Sequence, residues 1–298
     1  MALTLRKLEI FCQVADCGQV TRAAEALLLG QSAISMALAE LEQQAGGPLF
    51  LRQGRRLLLN DRGRLLLEPA RQIVQAAAAF DQLLSESGAQ PRGLLRIGAS
   101  TTIGNYLLPA LLADFSRRYP AASASLLVGN TRQVERALER GRIDLGLIEG
   151  PSHAPLLQTR PWRDDVLVVI AAPQHPLAHP GAPAATALAA ADWILREAGS
   201  GTREVCEAAL LPWLGSWRPY LELGHTEAIK KAVEAGMGVS CLSRLAVQRE
   251  LQLGFLVELA VPVDLRRPLT LLLPRQHPAT RLLQAFIELL DETAGAKG

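Results

Sequence analysis

The N-terminal part of the sequence has helical periodicity interrupted by single glycines, and this spacing constrains the fold more than any other feature. In the first stretch, Leu8, Phe11, Cys12 and Ala15 recur with the spacing of a helix that buries one face. Gly18 follows, and a glycine directly after a periodic stretch is typical of a helix end. The sequence therefore predicts a short first helix that ends at Gly18.

Two more helices are predicted directly after it. Thr21 is a suitable N-cap for a short helix that runs to about Leu28. Gly30 interrupts, and a third helix is predicted from Gln31 to about Gln44. Two short helices, a tight turn and a third helix of this size form a candidate helix-turn-helix, although the three helices alone also suit an unrelated small bundle.

A basic hairpin is predicted next. Two short apolar runs, 49–51 and 57–59, flank a polar turn that holds Arg52, Arg55 and Arg56. Such runs predict a two-stranded wing. Arginines at its tip suit DNA phosphates beside a groove that the third helix occupies, which favours a DNA-binding winged helix-turn-helix over the bundle.

The order of these residues resembles the N-terminal signature of LysR-type transcriptional regulators. The matching positions are Phe11, Val14, Ala15, Ala23, Ala24, Leu27, Gln31, Ser32, Ala33, Ile34, Ser35, Leu41, Glu42, Gly46, Leu49, Phe50 and Arg52. The resemblance implies that Gln31, Ser32 and Ser35 open the recognition helix and face base edges. It also implies a non-enzymatic regulator whose partners are promoter DNA, further copies of itself (a homodimer or homotetramer), a small effector and RNA polymerase.

Two features depart from the family's pattern. Gly30 stands where the family usually has a capping Ser or Thr, a loss of about 0.5–1 kcal/mol of cap energy. Met36 and Ala39 stand where relatives often have basic residues, so the predicted recognition helix has no Lys or Arg. We therefore expect phosphate attraction to come from the wing and from Arg6, Lys7 and Arg22.

A long connecting helix is predicted from Asn60, as its cap, to about Ser85. Its apolar residues recur at alternating spacings of four and three, which is a heptad seam, at Leu66, Ala70, Ile73, Ala77, Phe80 and Leu84. A narrow stripe of this kind is best buried by a copy of itself, although a helix packed on its own domain is the alternative. The helix resembles the family's linker helix, so a dimer is expected on a two-fold DNA site.

The remainder of the chain predicts an α/β domain of two lobes. Short apolar runs alternate with helical patterns after residue 93, which indicates a largely parallel sheet, and the pattern restarts at Trp193. The fold class is thus α/β with an N-terminal all-α winged helix-turn-helix and a periplasmic-binding-protein-like effector domain, as in the LysR family. The predicted bounds are 1–59 for the DNA-binding domain, 60–88 for the linker helix and 93–298 for the effector domain, with lobe I at 93–162 and 266–298 and lobe II at 163–265.

A ligand site is expected beyond the carboxyl ends of the strands. The residues at those ends are mostly hydroxyl- or amide-bearing: Ser100, Thr101, Thr102, Asn130, Thr131, Glu149, Ser200, Thr202, Arg203 and Thr226. Any one of the hydroxyls could be only a helix cap. Several helix starts facing one cleft would instead form an anion site, and the segment 99–106 is similar to members that govern sulfur assimilation and carbon dioxide fixation. The sequence favours a small oxyanion or carboxylate as the effector.

Glu149 opposes that prediction because its carboxylate would repel an anion. Two alternatives stay open: either Glu149 pairs with Arg203, or the ligand carries a proton or an ammonium group of its own.

Two other functions remain as alternatives. The first is a thiol redox-sensing regulator that uses Cys206 and Cys241; the second is a small-molecule solute-binding protein. The four cysteines have no metal-ligand spacing, and no catalytic motif or cofactor site is predicted. The first residues lack a secretory pattern, and no apolar run is long enough to span a membrane. We therefore expect a cytoplasmic protein.

Overall fold

The computed structural model describes residues 3–54, 56–85, 90–179, 181–275 and 280–294. The chain divides into two compact units, Met1–Ala89 and Gln90–Gly298. No single helix in the described part of the chain is long and apolar enough to cross a membrane; only α2 (Val20–Leu27) and α3 (Gln31–Gln44) together, with a bend of 110° between them, have the length and composition for it.

The first unit is a winged helix-turn-helix followed by a long helix. Its elements are α1 (Leu5–Cys17), α2, α3, β1 (Phe50–Gln53), β2 (Arg56–Leu59) and α4 (Asp61–Ser85). Gly18 ends α1 in the left-handed conformation, at φ 64°, as the sequence predicts. β1 and β2 form an antiparallel hairpin in which Phe50 lies opposite Leu59, and the Phe50 ring meets Phe11 edge-on at 5.7 Å. The hairpin therefore packs on the helical core.

The predicted cap of α2 is wrong. Helical backbone begins at Val20, and the N-cap is Gln19, whose carbonyl accepts the first hydrogen bond from Ala23 N at 3.1 Å. Thr21 therefore lies inside the helix. The missing cap of α3 is as expected, because Gly30 occupies the N-cap position without a side-chain hydrogen bond.

The seam predicted on α4 differs in one position. Ala70 is only 4 % exposed and belongs to the core of the winged unit, together with the half-buried Leu67 and Val74. α4 needs an inner face because it packs along α1, where the buried Arg71 also pairs with Asp16. The large apolar side chains left exposed on α4 are Leu65, Leu66, Ile73 and Phe80, while Ala77 is half-buried and the side chain of Leu84 lies outside the described part.

The second unit is an α/β structure. Its elements are β3 (Gly93–Ser100), a π-helical turn (Ile103–Leu107), α5 (Leu108–Arg118), β4 (Ala122–Gly129), α6 (Thr131–Glu139), β5 (Leu145–Glu149), β6 (Leu157–Ala171), α7 (Ala185–Ala190), β7 (Asp192–Arg196), α8 (Gly201–Leu214), β8 (Arg218–Leu223), α9 (Thr226–Glu234), β9 (Ser240–Ser243), α10 (Arg244–Gln252), β10 (Val257–Leu259), β11 (Arg266–Pro274) and α11 (Arg281–Ala294).

The sheet is mixed, so the prediction of a largely parallel sheet is wrong. The order is β10-β6-β11-β5-β3-β4, with β9 also paired to β6. β3 is parallel to β4 and β5, but every pairing of β6 and β11 is antiparallel. The reason is topological: β6 and β11 cross between the lobes in opposite directions, so neither can belong to a βαβ repeat.

Two cores flank this crossing. The core of lobe I centres on β3, β5 and α11, with Phe115 and Phe286 in edge-to-face contact at 5.2 Å. The core of lobe II centres on Trp193, which is fully buried against β6, α8 and β9. β6 runs through both lobes, pairing with β11 in its first part and with β9 and β10 in its last part.

Candidate functional site

Glu149 forms the centre of the predicted effector site. It is the last residue of β5, and only 2 % of it is exposed. Oε1 accepts hydrogen bonds from Ser100 Oγ and from the backbone N–H of Thr102, both at 2.7 Å. Oε2 accepts one from Thr202 Oγ1, also at 2.7 Å. Ser100 and Thr102 belong to lobe I and Thr202 opens α8 in lobe II, so one carboxylate bridges the two lobes.

A buried arginine on the crossing strand β11 balances this charge. Arg267 Nη2 lies 3.1 Å from Glu149 Oε2 and 2.7 Å from Asp165 Oδ2, although neither contact has hydrogen-bond geometry. Arg267 Nε donates to Asp165 Oδ2 at 2.8 Å, and Nη1 donates to Thr202 Oγ1 at 2.8 Å. Ser243 Oγ donates to the other oxygen of Asp165 at 2.7 Å. The buried cluster thus holds two carboxylates around one guanidinium.

These contacts keep Glu149 ionised. Burial alone raises the pKa of a carboxyl group, but the charge of Arg267 outweighs it together with the hydrogen bonds from Thr202 and Ser100. The resulting pKa of Glu149 is about 2. The carboxylate therefore carries a full charge at neutral pH and accepts three hydrogen bonds from the protein.

A second ion pair lies at the end of β7. Arg196 is buried and binds Glu197 through Nε at 2.8 Å and Nη2 at 3.0 Å. Nη2 also donates to Thr101 Oγ1 at 3.4 Å, and Asn130 Nδ2 donates to Glu197 Oε1 at 3.0 Å. Burial raises the pKa of Glu197, but its bonds to Arg196 give a net decrease. This pair links lobe II to lobe I at two points.

The starts of α6 and α8 approach each other closely. Thr131 Oγ1 donates to the backbone carbonyl of Glu149 at 3.0 Å, and Arg132 N donates to Gly199 O at 3.2 Å. A Cβ added to Gly201 would lie 1.7 Å from Glu149 O, so only glycine fits there. Two helix N-termini from different lobes therefore meet beside Glu149.

The other predicted site residues make no hydrogen bond to the Glu149 carboxylate in the part of the chain that the structure describes. Asn130 and Ser200 also act as N-caps, accepting from Gln133 N at 2.9 Å and Arg203 N at 3.4 Å. Thr226 is buried at the start of α9, and its hydroxyl has no hydrogen-bond partner among the described residues.

The alternative that Glu149 pairs with Arg203 is wrong. Arg203 binds Glu207 through Nε at 2.8 Å, and its Nη1 binds Glu222 and the carbonyl of Arg196. Arg267 takes the place that this alternative gave to Arg203.

Sequence reasoning missed the charged residues of the crossing strands. Arg267 and Asp165 are register partners on β11 and β6, more than a hundred residues apart in the chain. The one local sign of such a residue in the sequence is an arginine, Arg267, directly before the apolar run of β11. Arg196, in contrast, is predictable as a site residue by the strand-end rule. It directly follows the run Trp193–Leu195 and so lies at the carboxyl end of a strand.

The two cysteines of lobe II are neighbours in its core. Cys206 Sγ lies 3.7 Å from the carbonyl oxygen of Cys241, and both residues are buried. Burial raises the pKa of the Cys241 thiol well above its usual value. A buried neutral thiol is a weak nucleophile, so this environment does not favour the redox-sensing alternative.

The predicted DNA-contacting residues lie on the surface of the winged unit. Gln31, Ser32 and Ser35 are exposed on the first turns of α3, and Arg52 and Arg56 are exposed on the wing strands. Arg55 lies outside the described residues.

Of the three other basic residues expected to attract phosphates, Arg6, Lys7 and Arg22, the first two already form ion pairs within the protein. Lys7 pairs with Glu40 at 2.8 Å and is largely buried, and Arg6 pairs with Glu9 at 2.7 Å. Arg22 is exposed. Because the charge of Lys7 is paired with that of Glu40 on α3, Lys7 does not supply the phosphate attraction expected of it.

Two family models match the chain. The model described as "Bacterial regulatory helix-turn-helix protein, lysR family" matches residues 5–64, and the LysR substrate binding domain matches residues 88–295. The first contains the winged helix-turn-helix, and the second contains the whole polar cluster around Glu149.

Curated relatives match along nearly the full length. The uncharacterized HTH-type transcriptional regulator YeiE of Escherichia coli is 45 % identical over 98 % of this chain and 98 % of its own length. The RuBisCO operon transcriptional regulator of Allochromatium vinosum is 35 % identical over 88 % and 86 %, and the regulator CysL of Bacillus subtilis is 32 % identical over 82 % of both chains. These relatives are named as transcriptional regulators and not as enzymes.

Solved structures show the same fold. A full-length OxyR variant from Pseudomonas aeruginosa superposes with a TM-score of 0.76 over 99 % of this chain and 95 % of its own, at 23 % identity. The regulatory domain of Synechocystis CcmR, solved in complex with 2-PG, is 32 % identical over 69 % of this chain and 99 % of its own, with a TM-score of 0.64. Both family models, the relatives and the fold agree: the chain belongs to the LysR family of DNA-binding transcriptional regulators and carries an effector-binding domain.

Proposed function

We propose that this regulator senses a small oxyanion or carboxylate in the cleft between lobes I and II of its effector domain. The observation that carries the proposal is the meeting of the starts of α6 and α8, one from each lobe, beside Glu149, where Thr131 and Thr202 both donate to Glu149. Helix N-termini present free N–H groups and a positive dipole end, which favour an anion. The CcmR regulatory domain in complex with 2-PG supports a small ligand in such a domain.

Glu149 is paired with Arg267, but Asp165 and Glu197 leave the cluster of these four residues and Arg196 with a formal net charge of −1. We therefore propose that the helix N-termini, rather than a surplus of positive side chains, hold the anion. Glu149 already accepts from three donors, so we place the ligand beside the carboxylate rather than on it. The unpartnered Thr226 hydroxyl is the donor that we expect the ligand to use in lobe II.

A ligand of this kind would act through the balance between lobe arrangements. It can shift that balance only if it binds the two arrangements unequally. Thr202 and Arg196 link the lobes, so a ligand that competes for their donors has such a differential effect.

For DNA, we propose that Gln31, Ser32 and Ser35 contact base edges in the major groove, while Arg52, Arg55 and Arg56 contact phosphates. We also propose a homodimer through α4, with 1–59, 60–88 and 93–298 as functional segments. A tetramer, RNA polymerase as a partner and a cytoplasmic location are proposed on the ground of family membership alone.

The test of the effector is thermal stabilisation of the full-length protein. The panel contains sulfate, phosphate, nitrate, acetate and glycolate, together with amino acids and uncharged sugars. A ligand at 100 times its Kd adds about 2.7 kcal/mol of stability, which is readily measured as a rise in Tm. We expect one or more anions to raise the Tm of the native chain and the rise to vanish in Thr202→Ala.

The matched control is Thr186→Ala, which removes an exposed threonine on α7 in the same lobe. This variant should respond like the native chain. Stabilisation by an uncharged or cationic compound that persists in Thr202→Ala would refute the anion site and make Glu149 the principal ligand contact.

A further inference from the structure

The outward face of the recognition helix carries no unpaired charged side chain, because its one acid, Glu40, is paired with Lys7. In a helix with about 100° per residue, Met36 projects about 200° away from the buried Ile34, on the side opposite the core. The residues that share this outer side are Ser32, Met36, Ala39 and Gln43, and all four are exposed. This side is therefore free to enter a groove, next to the exposed Gln31 and Ser35.

The two acids of α3 are already bound, including Glu40, which lies one turn after Met36 on the same side. Glu40 pairs with Lys7 at 2.8 Å, and Glu42 Oε1 accepts a hydrogen bond from Leu49 N at 2.8 Å. No lysine or arginine occurs in α3. Base selection by this helix must therefore depend on neutral side chains.

Met36 has the longest apolar side chain on the outer side. It is 63 % exposed, which leaves its thioether end free. Among the groups that base pairs show in the major groove, the 5-methyl group of thymine is the only apolar one. An exposed apolar end opposite the core thus has one chemical counterpart in DNA.

We propose that Met36 is a specificity-determining residue that selects thymine by packing its thioether end on the thymine 5-methyl group. The inference rests on the proposed function, in which α3 enters the major groove. It assigns a base-reading role to a position at which the family pattern more often has a basic residue.

The experiment uses the full-length protein and a duplex that it selects from a random DNA library. Each thymine of that duplex is replaced singly by deoxyuridine, which removes only the methyl group, and Kd is measured by fluorescence anisotropy. For the native chain we expect at least one position where uracil weakens binding about 3- to 6-fold, the value of one buried methyl group. In Met36→Ala, uracil at that position should have no effect, whereas Met36→Leu should keep most of it.

Met237→Ala is the matched control, because Met237 is an exposed methionine of the effector domain. It should keep the uracil effect in full. An uracil effect that is unchanged in Met36→Ala overturns the proposal, as does a native chain with no uracil-sensitive position.

Gln31→Ala, measured on the same duplexes with single base-pair changes, separates the two hypotheses. If Gln31→Ala discriminates bases as the native chain does, α3 is not the reading helix and the proposed DNA contacts fail as well. If Gln31→Ala loses discrimination at one position while Met36→Ala keeps the uracil effect, only the role of Met36 is overturned.

Discussion

Replacing Arg267 with Met removes the positive charge between two buried carboxylates. Arg267, Glu149 and Asp165 are all nearly inaccessible, so no water can compensate for the missing guanidinium. Met keeps much of the apolar volume, which limits the packing loss. Because breaking a buried ion pair by removing one partner costs about 3–5 kcal/mol, we expect the free energy of unfolding of the effector domain at pH 7 to fall by that amount.

The loss should depend on pH in a defined direction. The pKa of Glu149 is about 2, against 4.5 for the free side chain, so its ionised form stabilises the native state above pH 4.5 and this stability is lost as the pH falls toward 2. At about 1.4 kcal/mol per pKa unit, the contribution is about 3 kcal/mol. Without Arg267, burial raises the pKa of Glu149 above its value in the native chain. In Arg267→Met the buried carboxylate therefore takes up a proton at a higher pH, which removes its unpaired charge. The difference in free energy of unfolding between the native chain and Arg267→Met should therefore become smaller from pH 7 to pH 4.

Tryptophan fluorescence during urea unfolding measures this directly. All four tryptophans, Trp162, Trp193, Trp213 and Trp217, belong to the second unit, so the signal reports on the effector domain alone. Arg266→Met is the matched control, because Arg266 is the adjacent residue but is exposed and pairs with Asp264 on the surface. The reasoning is refuted if Arg267→Met is as stable as Arg266→Met at pH 7, or if its deficit is the same at pH 4.

Three further predictions concern other parts of the chain. Ile73→Glu places a charge on the exposed apolar stripe of α4, so sedimentation velocity should show monomers instead of the proposed dimer. The control Gln72→Glu, beside the stripe, should stay dimeric, and a dimer in both variants would contradict the role of α4. Leu28 is 92 % exposed and has the left-handed conformation, at φ 53°, which glycine adopts without strain. Leu28→Gly should therefore raise the free energy of unfolding of the winged unit by about 0.5–1 kcal/mol, measured by circular dichroism. A destabilised variant would show that the Leu28 side chain makes a stabilising contact. Cys206 and Cys241 should react with a thiol reagent such as Ellman's reagent only after unfolding, and rapid reaction of the native chain that disappears in Cys206→Ser would restore the redox alternative.

The winged unit was predictable because its signals are local. The apolar spacing of α1, the glycine at 18 and the hairpin around Arg52 each lie within a few residues of one another. The sequence also predicted both the missing cap at Gly30 and the long helix α4. It misplaced the inner face of α4, because a heptad pattern cannot show which of its alanines packs on the helix's own domain, as Ala70 does.

The effector domain was harder to predict because its centre depends on distant pairings. The strand-end rule selected Ser100, Thr102 and Thr202, and the structure brings all three to the carboxylate of Glu149; their role in effector binding stays a prediction. The register of β11 on β6, which brings Arg267 to Asp165, depends on antiparallel crossings that no short pattern reveals. For the same reason the sequence offers Arg203, next to Thr202, as one possible partner of Glu149, whereas the partner in the structure is Arg267.

The central claim is that a ligand in the cleft sets the affinity for DNA, and one titration tests it most directly. The Kd of the full-length protein for its selected duplex is measured with and without the anion that raises its Tm. The account predicts a change of about 5-fold or more in the native chain, in the range typical of coupling between two sites, and none in Thr202→Ala. An equal change in Thr202→Ala, or no change in the native chain, would contradict it.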